Sequence, residues 1–499
     1  MNSRSAMVGR SILKPAGLGR RLDVPPAVLR QLAASNPRRY PALLDSAVAG
    51  PLGRVSILAA QPQAALWSTA DGRVHGRGVQ PRAATFLDAL ETWWRGSGAG
   101  AGRESDLAIA RHTGVPFAPG WIVFLGYEIA AEIEPHLRLP ATPLPWTAFA
   151  LRTPCALVHV LADDSVWAVA EPQAEDLLGQ VVLDARCLAD GTRDAAAVPH
   201  DPGDLGYQVS EEDPALYLAR VLRAQEHIRA GDIYQANLSR PWRVRPRAAP
   251  GCTAYRQALD PALLYERLRR RNPAPFAAWL QWDGVSVLSS SPERLLRVSG
   301  REVDTRPIAG TRPRTRRPGE DAPEAAALVA HPKERAEHIM LIDLERNDLG
   351  RVCEAGTVLV NELMVTETYA HVHHIVSNVR GRLRADVTPI GALKAVFPGG
   401  TITGCPKFRC MQIIAELEGE GRGAFYGSLG YLTPGGEMDL NILIRTMTLE
   451  HARITMRTGA GIVADSDPER ELNETRAKAR GMLAVFDDVP QGAGARSPA

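Results

Sequence analysis

The chain has 499 residues, of which 45% are hydrophobic and 23% are charged, so it holds more than one structural unit and is neither a disordered chain nor a coiled coil. Its 58 Lys and Arg residues nearly balance 56 Asp and Glu residues, and the formal charge of +2 argues against a general nucleic-acid-binding protein. The six cysteines show no Cys-x-x-Cys spacing, and no apolar run reaches the ~20 residues that span a bilayer. We therefore expect reduced thiols, a cytoplasmic location and no membrane partner.

In chain order, the first half gives weak signals and the second half gives clear ones. Ala156–Ala170 predicts two strands around an acidic turn. Residues 188–213 are rich in Asp, Gly and Pro, which predicts a junction between an amino-terminal subdomain over 1–200 and a second domain over 205–488. A flexible tail is expected over 489–499.

Beyond the junction, Pro214–Ala230 predicts an amphipathic helix and Ile233–Leu238 a strand. Ser466-x-x-Glu469 is a capping-box pattern that predicts a last helix ending near Phe486. Strands and helices mix without a regular βαβ period, so we expect an α+β fold. Further helix starts are predicted at three X-Pro steps: His331-Pro332, Thr388-Pro389 and Cys405-Pro406.

Two of these helices carry pairs of acids. Glu334 and Glu337 share one helix face, and Glu471 and Glu474 share a face of the last helix with Lys478. If the faces oppose each other, four carboxylates converge and need a cation, for which Mg²⁺ is the suitable ion. An exposed ion pair between Glu474 and Lys478 is the alternative.

Arg445 lies in an alternating stretch, Met438–Thr448, that predicts one strand with Arg445 on the face of Leu443 and Met447. A guanidinium group among apolar side chains needs an anion, which is either a protein carboxylate or a ligand. Glu293 follows a run of serines and would need burial to raise its pKa before it could act as a general acid.

Two turns of small residues, Phe397–Lys407 and Thr458–Gly461, favour anion binding because their backbone N–H groups are accessible. Neither has the glycine spacing of a P-loop. His371, His373 and His374 do not indicate zinc, because neighbours in an extended segment point to opposite faces and no cysteine accompanies them. One functional histidine is the better interpretation.

Over roughly residues 205–488 several motifs occur together in an order that resembles component I of the chorismate-utilising enzymes. Tyr40–Ser46 and Pro116–Glu128 resemble the amino-terminal, anthranilate synthase component I-like part of the same proteins. The resemblance implies a large mixed sandwich of antiparallel sheets with helices packed outside. The motifs are Gly231–Ser239, Ser291–Arg294, Arg306–Arg314, Glu337–Val352, His373–Asn378, Phe397–Lys407, Gly427–Leu432, Ile444–Thr446, Thr458–Ser466 and Glu471–Lys478.

The resemblance also implies a site for Mg²⁺ and chorismate. Glu337 and Glu474 would hold the metal, supported by Glu334 and Glu471. Glu293 would protonate the leaving C4 hydroxyl group of chorismate. The resemblance implies roles for the remaining residues as well. Arg445 and Tyr431 would bind the enolpyruvyl carboxylate, and Thr401, Thr403 and Lys407 would line the pocket. The ring carboxylate would be bound by Gly459, Ala460, Gly461 and Lys478, and His374 would transfer a proton or orient the ring.

The nucleophile separates the branches of this family. Isochorismate-forming relatives place a lysine base where Gln235 stands, and an amide cannot deprotonate water at neutral pH. The resemblance therefore implies ammonia, supplied by a separate glutamine amidotransferase subunit. Aminodeoxychorismate-forming relatives often carry a lysine where Ala309 stands, and the interval from 15 to 332 has no lysine, which favours anthranilate formation.

Three sequence neighbourhoods resemble the aminodeoxychorismate branch instead, and on their weight we expect that branch. They are Asp232–Ser239, Gly399–Gly404 and Gly427-Ser428. A non-catalytic protein that binds chorismate in the same pocket is the remaining alternative. Leu43–Ser46 resembles the segment that forms a tryptophan pocket in anthranilate-forming relatives, so Ser46 lines either such a pocket or a packed core, and packing is the simpler interpretation.

Overall fold

The structure is a computed structural model that describes residues 19–48, 50, 52–98, 101–194, 205–313, 332–368 and 372–487. The predicted tail over 489–499 and His371 lie outside these residues. The side chains of Glu334, Ala309 and His373 are outside the described part as well.

Two large antiparallel sheets form the centre of the molecule. The strands are β1 (Gly19–Leu22), β2 (Ala42–Asp45), β3 (Val55–Ala60), β4 (Ala64–Ser68), β5 (Val74–Arg77), β6 (Gly120–Leu125), β7 (Ala148–Thr153), β8 (Cys155–Val160), β9 (Ser165–Ala170), β10 (Tyr207–Glu211), β11 (Gln235–Pro246), β12 (Phe276–Trp282), β13 (Val285–Ser291), β14 (Arg294–Ser299), β15 (Glu302–Arg306), β16 (Ile308–Pro313), β17 (Leu359–Thr368), β18 (Val372–Arg382), β19 (Gly404–Cys405), β20 (Ser428–Leu432), β21 (Met438–Asn441), β22 (Thr446–Glu450) and β23 (Arg453–Ile462).

Helices surround the sheets. They are α1 (Ala27–Ser35), α2 (Phe86–Gly96), α3 (Ala101–Thr113), α4 (Ala130–Ile133), α5 (Glu175–Asp194), α6 (Pro214–Arg229), α7 (Thr253–Ala258), α8 (Pro261–Arg271), α9 (Pro332–Gly350), α10 (Pro389–Val396), α11 (Lys407–Glu418) and α12 (Pro468–Leu483). Among the helices of the described residues, none combines the length and the hydropathy that a membrane span requires.

In the described part of the chain the first sheet has the strand order β1-β9-β8-β3-β2-β12-β13-β22-β23-β11-β10, with β19 paired to β11. The second has the order β16-β18-β15-β14-β21-β20-β6-β7-β4-β5, with β17 paired to β18. The prediction of an α+β sandwich of antiparallel sheets is confirmed. Strands from before residue 195 and after residue 205 are neighbours in both sheets, and the domain boundaries remain a prediction.

Apolar side chains fill both the space between the sheets and their outer faces. Between the sheets, Phe124 and Phe149 of the second sheet pack with Leu280 and Val287 of the first. Helices α1, α5 and α8 cover the outside of the first sheet, and α2, α9 and α10 cover the second. Because each sheet is covered on both faces, some strands are buried along their whole length, as β6 is.

Four helices begin with a capping residue followed by proline. The side chains of Asp213, Asp260, Thr388 and Asp467 each accept a hydrogen bond from a backbone N–H of the first turn. A cap of this kind stabilises a helix by about 1 kcal/mol, and proline is suited to the first helical position. The last helix was expected to be capped by Ser466, but Asp467 caps it, and the Ser466 hydroxyl donates to Glu471 instead.

Two further predictions of local structure are wrong. Met438–Thr448 is not one strand: β21 belongs to the second sheet and β22 to the first, and the chain crosses between them with Arg445 at φ +50°. Thr458–Gly461 is not a turn but part of β23, paired with β11. Alternation and small residues cannot show where a chain changes sheets, because the partners are distant in sequence.

Candidate active site

Glu293 lies in the short link between β13 and β14 and its side chain is buried. The Ile308 N–H donates to its Oε1 at 3.4 Å, and its own backbone is fixed by the Ser291 hydroxyl and by Ile442. Burial raises the pKa of Glu293 to about 7, although Thr401 and Arg445 act in the opposite direction. The carboxyl group therefore holds a proton near neutral pH, as a general acid must.

The side chain of Arg445, which lies where the chain crosses between the sheets, is close to the side chain of His374. The Arg445 Nη2 atom lies 3.5 Å from His374 Nε2, and the Arg445 carbonyl group accepts from the Ser290 N–H. His374 is buried in β18. A positive φ is uncommon for a non-glycine residue and is often found at functional sites. The guanidinium group of Arg445 is also close enough to Glu293 to lower the pKa of its carboxyl group.

The start of β11 faces two glycines of β23. Gln235 is buried, and its Oε1 has no hydrogen-bond partner among the described residues. A Cβ atom on Gly461 would lie 2.3 Å from Gln235 Nε2, and one on Gly459 would lie 3.0 Å from the Tyr426 hydroxyl oxygen. Glycine at these two positions leaves space for polar side chains of the site. Ala460, between them, points to the opposite side and is buried in an apolar cluster.

Asn237 and Tyr426 belong to the site, although sequence analysis did not single them out. The Tyr426 hydroxyl donates to Asn237 Oδ1 at 2.6 Å, and Asn237 Nδ2 donates to the Thr401 carbonyl group at 3.1 Å. Tyr426 is close enough to Glu293 for the two to interact electrostatically. Asn237 stands two residues after Gln235 on the same strand face, which is the signal that could have identified it.

A buried ion cluster supports this region from behind. Glu418 accepts from Arg422 at 2.6 Å and from Arg457 at 3.1 Å, and Arg422 also donates to the Asn237 carbonyl group. Burial acts to raise the pKa of Glu418, but the two arginines outweigh it and hold that pKa below its usual value. The cluster fixes β11 where Gln235 and Asn237 emerge.

Thr403 and Lys407 make contacts within the protein. The Thr403 hydroxyl donates to the Gly399 carbonyl group at 3.1 Å, which closes its own loop. Lys407 Nζ lies 2.5 Å from Asp348 Oδ2 and donates to the Val396 carbonyl group. These two residues shape the loop, whereas the Thr401 side chain acts to lower the pKa of Glu293.

The predicted metal ligands lie on α9 and α12. Glu474 is half exposed and pairs with Lys478 at 2.8 Å, and Lys478 also donates to the Gly459 carbonyl group. Glu471 accepts from Ser466, and Glu337 is half-buried. Among the described residues no three His, Cys, Asp or Glu side chains are arranged to hold a metal ion. Because the side chain of Glu334 is outside the described part, the convergence of all four carboxylates remains a prediction, and the pairing of Glu474 with Lys478 that sequence analysis gave as the alternative is present.

Tyr431 lies elsewhere. It lines a cavity of about 740 Å³ and packs edge-on against Phe117 at 5.1 Å between ring centroids. Ser46 lines the same cavity, with its hydroxyl bonded to the Val55 carbonyl group. Burial is the largest cause that raises the pKa of Tyr431, and Asp439 adds to it. The expected binding of the enolpyruvyl carboxylate by Tyr431 remains a prediction, and Tyr426, five residues earlier in the chain, is a tyrosine near Glu293.

Comparison with known proteins identifies the family of the chain. The chain is 42% identical over 390 residues to anthranilate synthase component 1 of Streptomyces coelicolor, covering 74% of this chain and 73% of that one. It is 38% identical over 470 residues to an aminodeoxychorismate synthase of Streptomyces griseus, covering 91% of this chain and 62% of that one. The crystal structure of anthranilate synthase component I from Streptococcus pneumoniae TIGR4 superposes with a TM-score of 0.71 at 30% identity, covering 87% of this chain and 93% of that one. Residues 62–484 match the family described as chorismate binding enzyme, and the chain belongs to that family.

Proposed function

We propose that this chain aminates chorismate with ammonia. The observation that carries the proposal is the buried Glu293, whose pKa burial raises to about 7 and which Arg445 influences electrostatically, in a chain of the chorismate-binding family. Chorismate is a dianion, so it needs cationic partners, and loss of its C4 hydroxyl group needs a proton donor. Glu293 supplies the proton, which leaves with the hydroxyl group as water.

Arg445 and Tyr426 bind one carboxylate of the substrate in this proposal. Arg445 is half-buried at the crossing, and Tyr426 stands near Gly459, where the backbone can approach a ligand closely. Tyr426 here replaces Tyr431, which lines the other cavity. Lys478 and the backbone of β23 bind the other carboxylate, and His374 orients the ring.

Ammonia is the proposed nucleophile because Gln235 has no basic group with which to activate water. Its unpartnered Oε1 accepts a hydrogen bond from the incoming ammonia molecule. A glutamine amidotransferase subunit is the proposed source, since component I relatives share this architecture. High concentrations of ammonium salt at alkaline pH should replace that subunit in an assay.

Magnesium is the proposed cofactor, and the residue types of the site fit it. Glu337, Glu471 and Glu474 are hard oxygen donors, and the half-exposed Glu474 suits an ion that keeps some of its water. Bound there, Mg²⁺ would neutralise a carboxylate of the substrate. Glu474→Gln should abolish Mg²⁺-dependent turnover and weaken Mg²⁺ binding in calorimetry, while Glu469→Gln on the exposed start of α12 serves as the matched control. Unchanged binding by Glu474→Gln would remove this assignment.

For the product we propose 4-amino-4-deoxychorismate, a precursor of p-aminobenzoate and folate. Nitrogen bonds to C4, water leaves, and the enolpyruvyl group is retained. The support is the resemblance of Asp232–Ser239, Gly399–Gly404 and Gly427-Ser428 to that branch, together with the Streptomyces griseus relative that spans most of this chain.

Anthranilate is the second candidate, and Ala309 favours it because no lysine stands in the neighbouring motif to serve C4 amination. In that reaction nitrogen bonds to C2, and water and pyruvate leave. Several relatives carry the name anthranilate synthase component 1, which also supports this candidate.

Product analysis separates the candidates. The chain is incubated with chorismate, Mg²⁺ and ammonium salt, and the mixture is examined for anthranilate fluorescence and for pyruvate with lactate dehydrogenase. Chorismate consumption without either signal supports 4-amino-4-deoxychorismate, which an added lyase converts to p-aminobenzoate and pyruvate. Anthranilate without a lyase refutes our choice of product, and tight chorismate binding without consumption indicates the non-catalytic alternative.

The cavity that Ser46 lines is proposed as an amino-acid pocket. It has room for an indole side chain, and Arg294 and Asp439 supply opposite charges on its wall. Titration calorimetry with L-tryptophan tests this proposal, and Ser46→Phe, which places a bulky ring in the cavity, should abolish any heat of binding. Absence of binding in the unaltered chain leaves packing as the role of this segment.

A further inference from the structure

A buried side-chain hydrogen bond that the proposed reaction does not use joins the last helix to β23. The Thr458 hydroxyl donates to the Thr475 carbonyl group of α12 at 2.9 Å. Both residues are buried. A carbonyl oxygen has two lone pairs, so one that lies inside a helix can accept this bond in addition to the bond of the helix itself. Thr458 is thus a point at which α12 is fixed to the sheet.

Strand β23 is a firm support at this position. It pairs with β11 over nine consecutive residues, from Ile454 to Ile462. Arg457, which directly precedes Thr458, is buried and pairs with Glu418 of the ion cluster at 3.1 Å. The strand is therefore held by its neighbour in the sheet and by a buried ion pair, and α12 is attached to a well-fixed part of the molecule.

The bond lies among residues to which the proposed function gives the metal and a substrate carboxylate. Glu474 directly precedes Thr475, and Lys478 is three positions further along α12. Lys478 Nζ lies 2.8 Å from Glu474 Oε1 and donates to the Gly459 carbonyl group at 2.8 Å. Gly459 directly follows Thr458 on β23. Two consecutive residues of β23 are thus bonded to α12 within about one turn of Glu474.

The other contacts of α12 define its position on the sheet less sharply. The pair of Arg476 with Glu211 is half-exposed, and pairs of this kind contribute little. Apolar packing has no preferred direction, whereas a hydrogen bond restricts both distance and angle. Without the Thr458 bond, α12 could therefore shift or rotate on β23 and still bury its apolar side chains. These are Leu472, Ala479 and Met482.

We propose that Thr458 is a positioning residue for the Mg²⁺ and chorismate site: its hydroxyl group holds α12 on β23 and thereby sets where Glu474 and Lys478 stand. The inference deepens the proposed function and rests on it wherever the binding of Mg²⁺ or chorismate is measured. The attachment of α12 to β23 can be tested without either ligand.

The experiment compares three variants of the full chain. Thr458→Val keeps the β-branched shape and removes the donor, whereas Thr458→Ser keeps the hydroxyl group. Thr448→Val is the matched control, because the Thr448 hydroxyl donates to the Thr455 carbonyl group at 3.5 Å and so joins β22 to β23, not to α12. Hydrogen exchange of the peptide over residues 471–483 is followed by mass spectrometry.

Two further measurements report on the site. The Kd for Mg²⁺ is measured by calorimetry with chorismate present and ammonia absent, so that no turnover occurs. The kcat and the KM for chorismate are measured with ammonia at saturating Mg²⁺. A melting curve of each variant shows whether its fold is intact.

Thr458→Val should exchange about three- to tenfold faster in this peptide, the factor that one hydrogen bond supplies. The Kd for Mg²⁺ and the KM should rise by a similar factor, while kcat stays within about twofold, because Glu474 and Lys478 bind the substrate away from the reacting C4 atom. The melting temperature should fall by less than about 3 °C. Thr458→Ser should restore the Kd and the KM, and Thr448→Val should match the unaltered chain.

Unchanged exchange in Thr458→Val overturns the inference. Faster exchange with an unchanged Kd and KM also overturns it, because the bond would then stabilise the helix without positioning the site. A Thr458→Ser variant that is as impaired as Thr458→Val does the same, because the hydroxyl group would then not be what matters. If Thr458→Val fails to fold, the smaller Thr458→Ala takes its place. A chain that binds neither Mg²⁺ nor chorismate refutes the proposed function, and in that case the exchange of residues 471–483 alone decides whether Thr458 holds α12.

Discussion

Replacing Glu293 with Gln should have opposite effects on stability and on activity. The pKa of Glu293 is raised from 4.5 to about 7 by burial. Between these values the folded chain keeps a proton that the unfolded chain releases, so the unaltered protein loses stability as the pH rises through this window. This loss in the free energy of unfolding is nearly complete above about pH 7. It amounts to about 2–3 kcal/mol between about pH 5 and pH 8.

Gln keeps an oxygen that can accept from Ile308 but does not ionise. The stability of Glu293→Gln relative to the unaltered chain should therefore rise by about 2–3 kcal/mol from about pH 5 to pH 8. Turnover of chorismate should fall by about 10²–10⁴-fold, the usual contribution of a general acid. Both effects follow from one buried carboxyl group.

Urea unfolding at a series of pH values measures the first effect, and ammonia-dependent consumption of chorismate, compared at equal concentrations of free ammonia, measures the second. Glu416→Gln, an exposed acid on α11, is the matched control. Stability curves of Glu293→Gln and the unaltered chain that stay parallel, within about 0.5 kcal/mol, would refute the burial argument. Full activity in Glu293→Gln would refute its role as proton donor.

Three further substitutions test the surroundings of the site. Glu418→Gln should lower the free energy of unfolding by about 3–5 kcal/mol, because it leaves the buried Arg422 without its carboxylate partner; a loss below about 1 kcal/mol in urea unfolding would contradict this. Gly461→Ala should leave the melting temperature nearly unchanged but reduce turnover, because the new methyl group displaces the end of the Gln235 side chain, so normal kinetics would count against that contact. Tyr426→Phe should cost about 1–3 kcal/mol in urea unfolding and weaken chorismate binding, since it leaves a buried amide oxygen without its donor; an unchanged KM would exclude it from the substrate site.

Local sequence signals predicted the features that depend on neighbours in the chain. The helix starts at Pro214, Pro332 and Pro389 agree with the structure, because capping and the fixed φ of proline act within one turn. The need for burial at Glu293 also followed from its chemistry, and the structure buries it. The ordered motifs were sufficient to indicate the family.

The sequence by itself thus determined where several helices of the second half begin, the α+β class and the kind of substrate. Only the tertiary structure decided that Met438–Thr448 divides between two sheets, and that Tyr426 lies near Glu293 while Tyr431 lines a separate cavity. Pairing of strands, burial of a carboxyl group and the pKa that follows from it depend on residues tens to hundreds of positions apart. These partners are set by the packing of the whole chain, and no local periodicity records them.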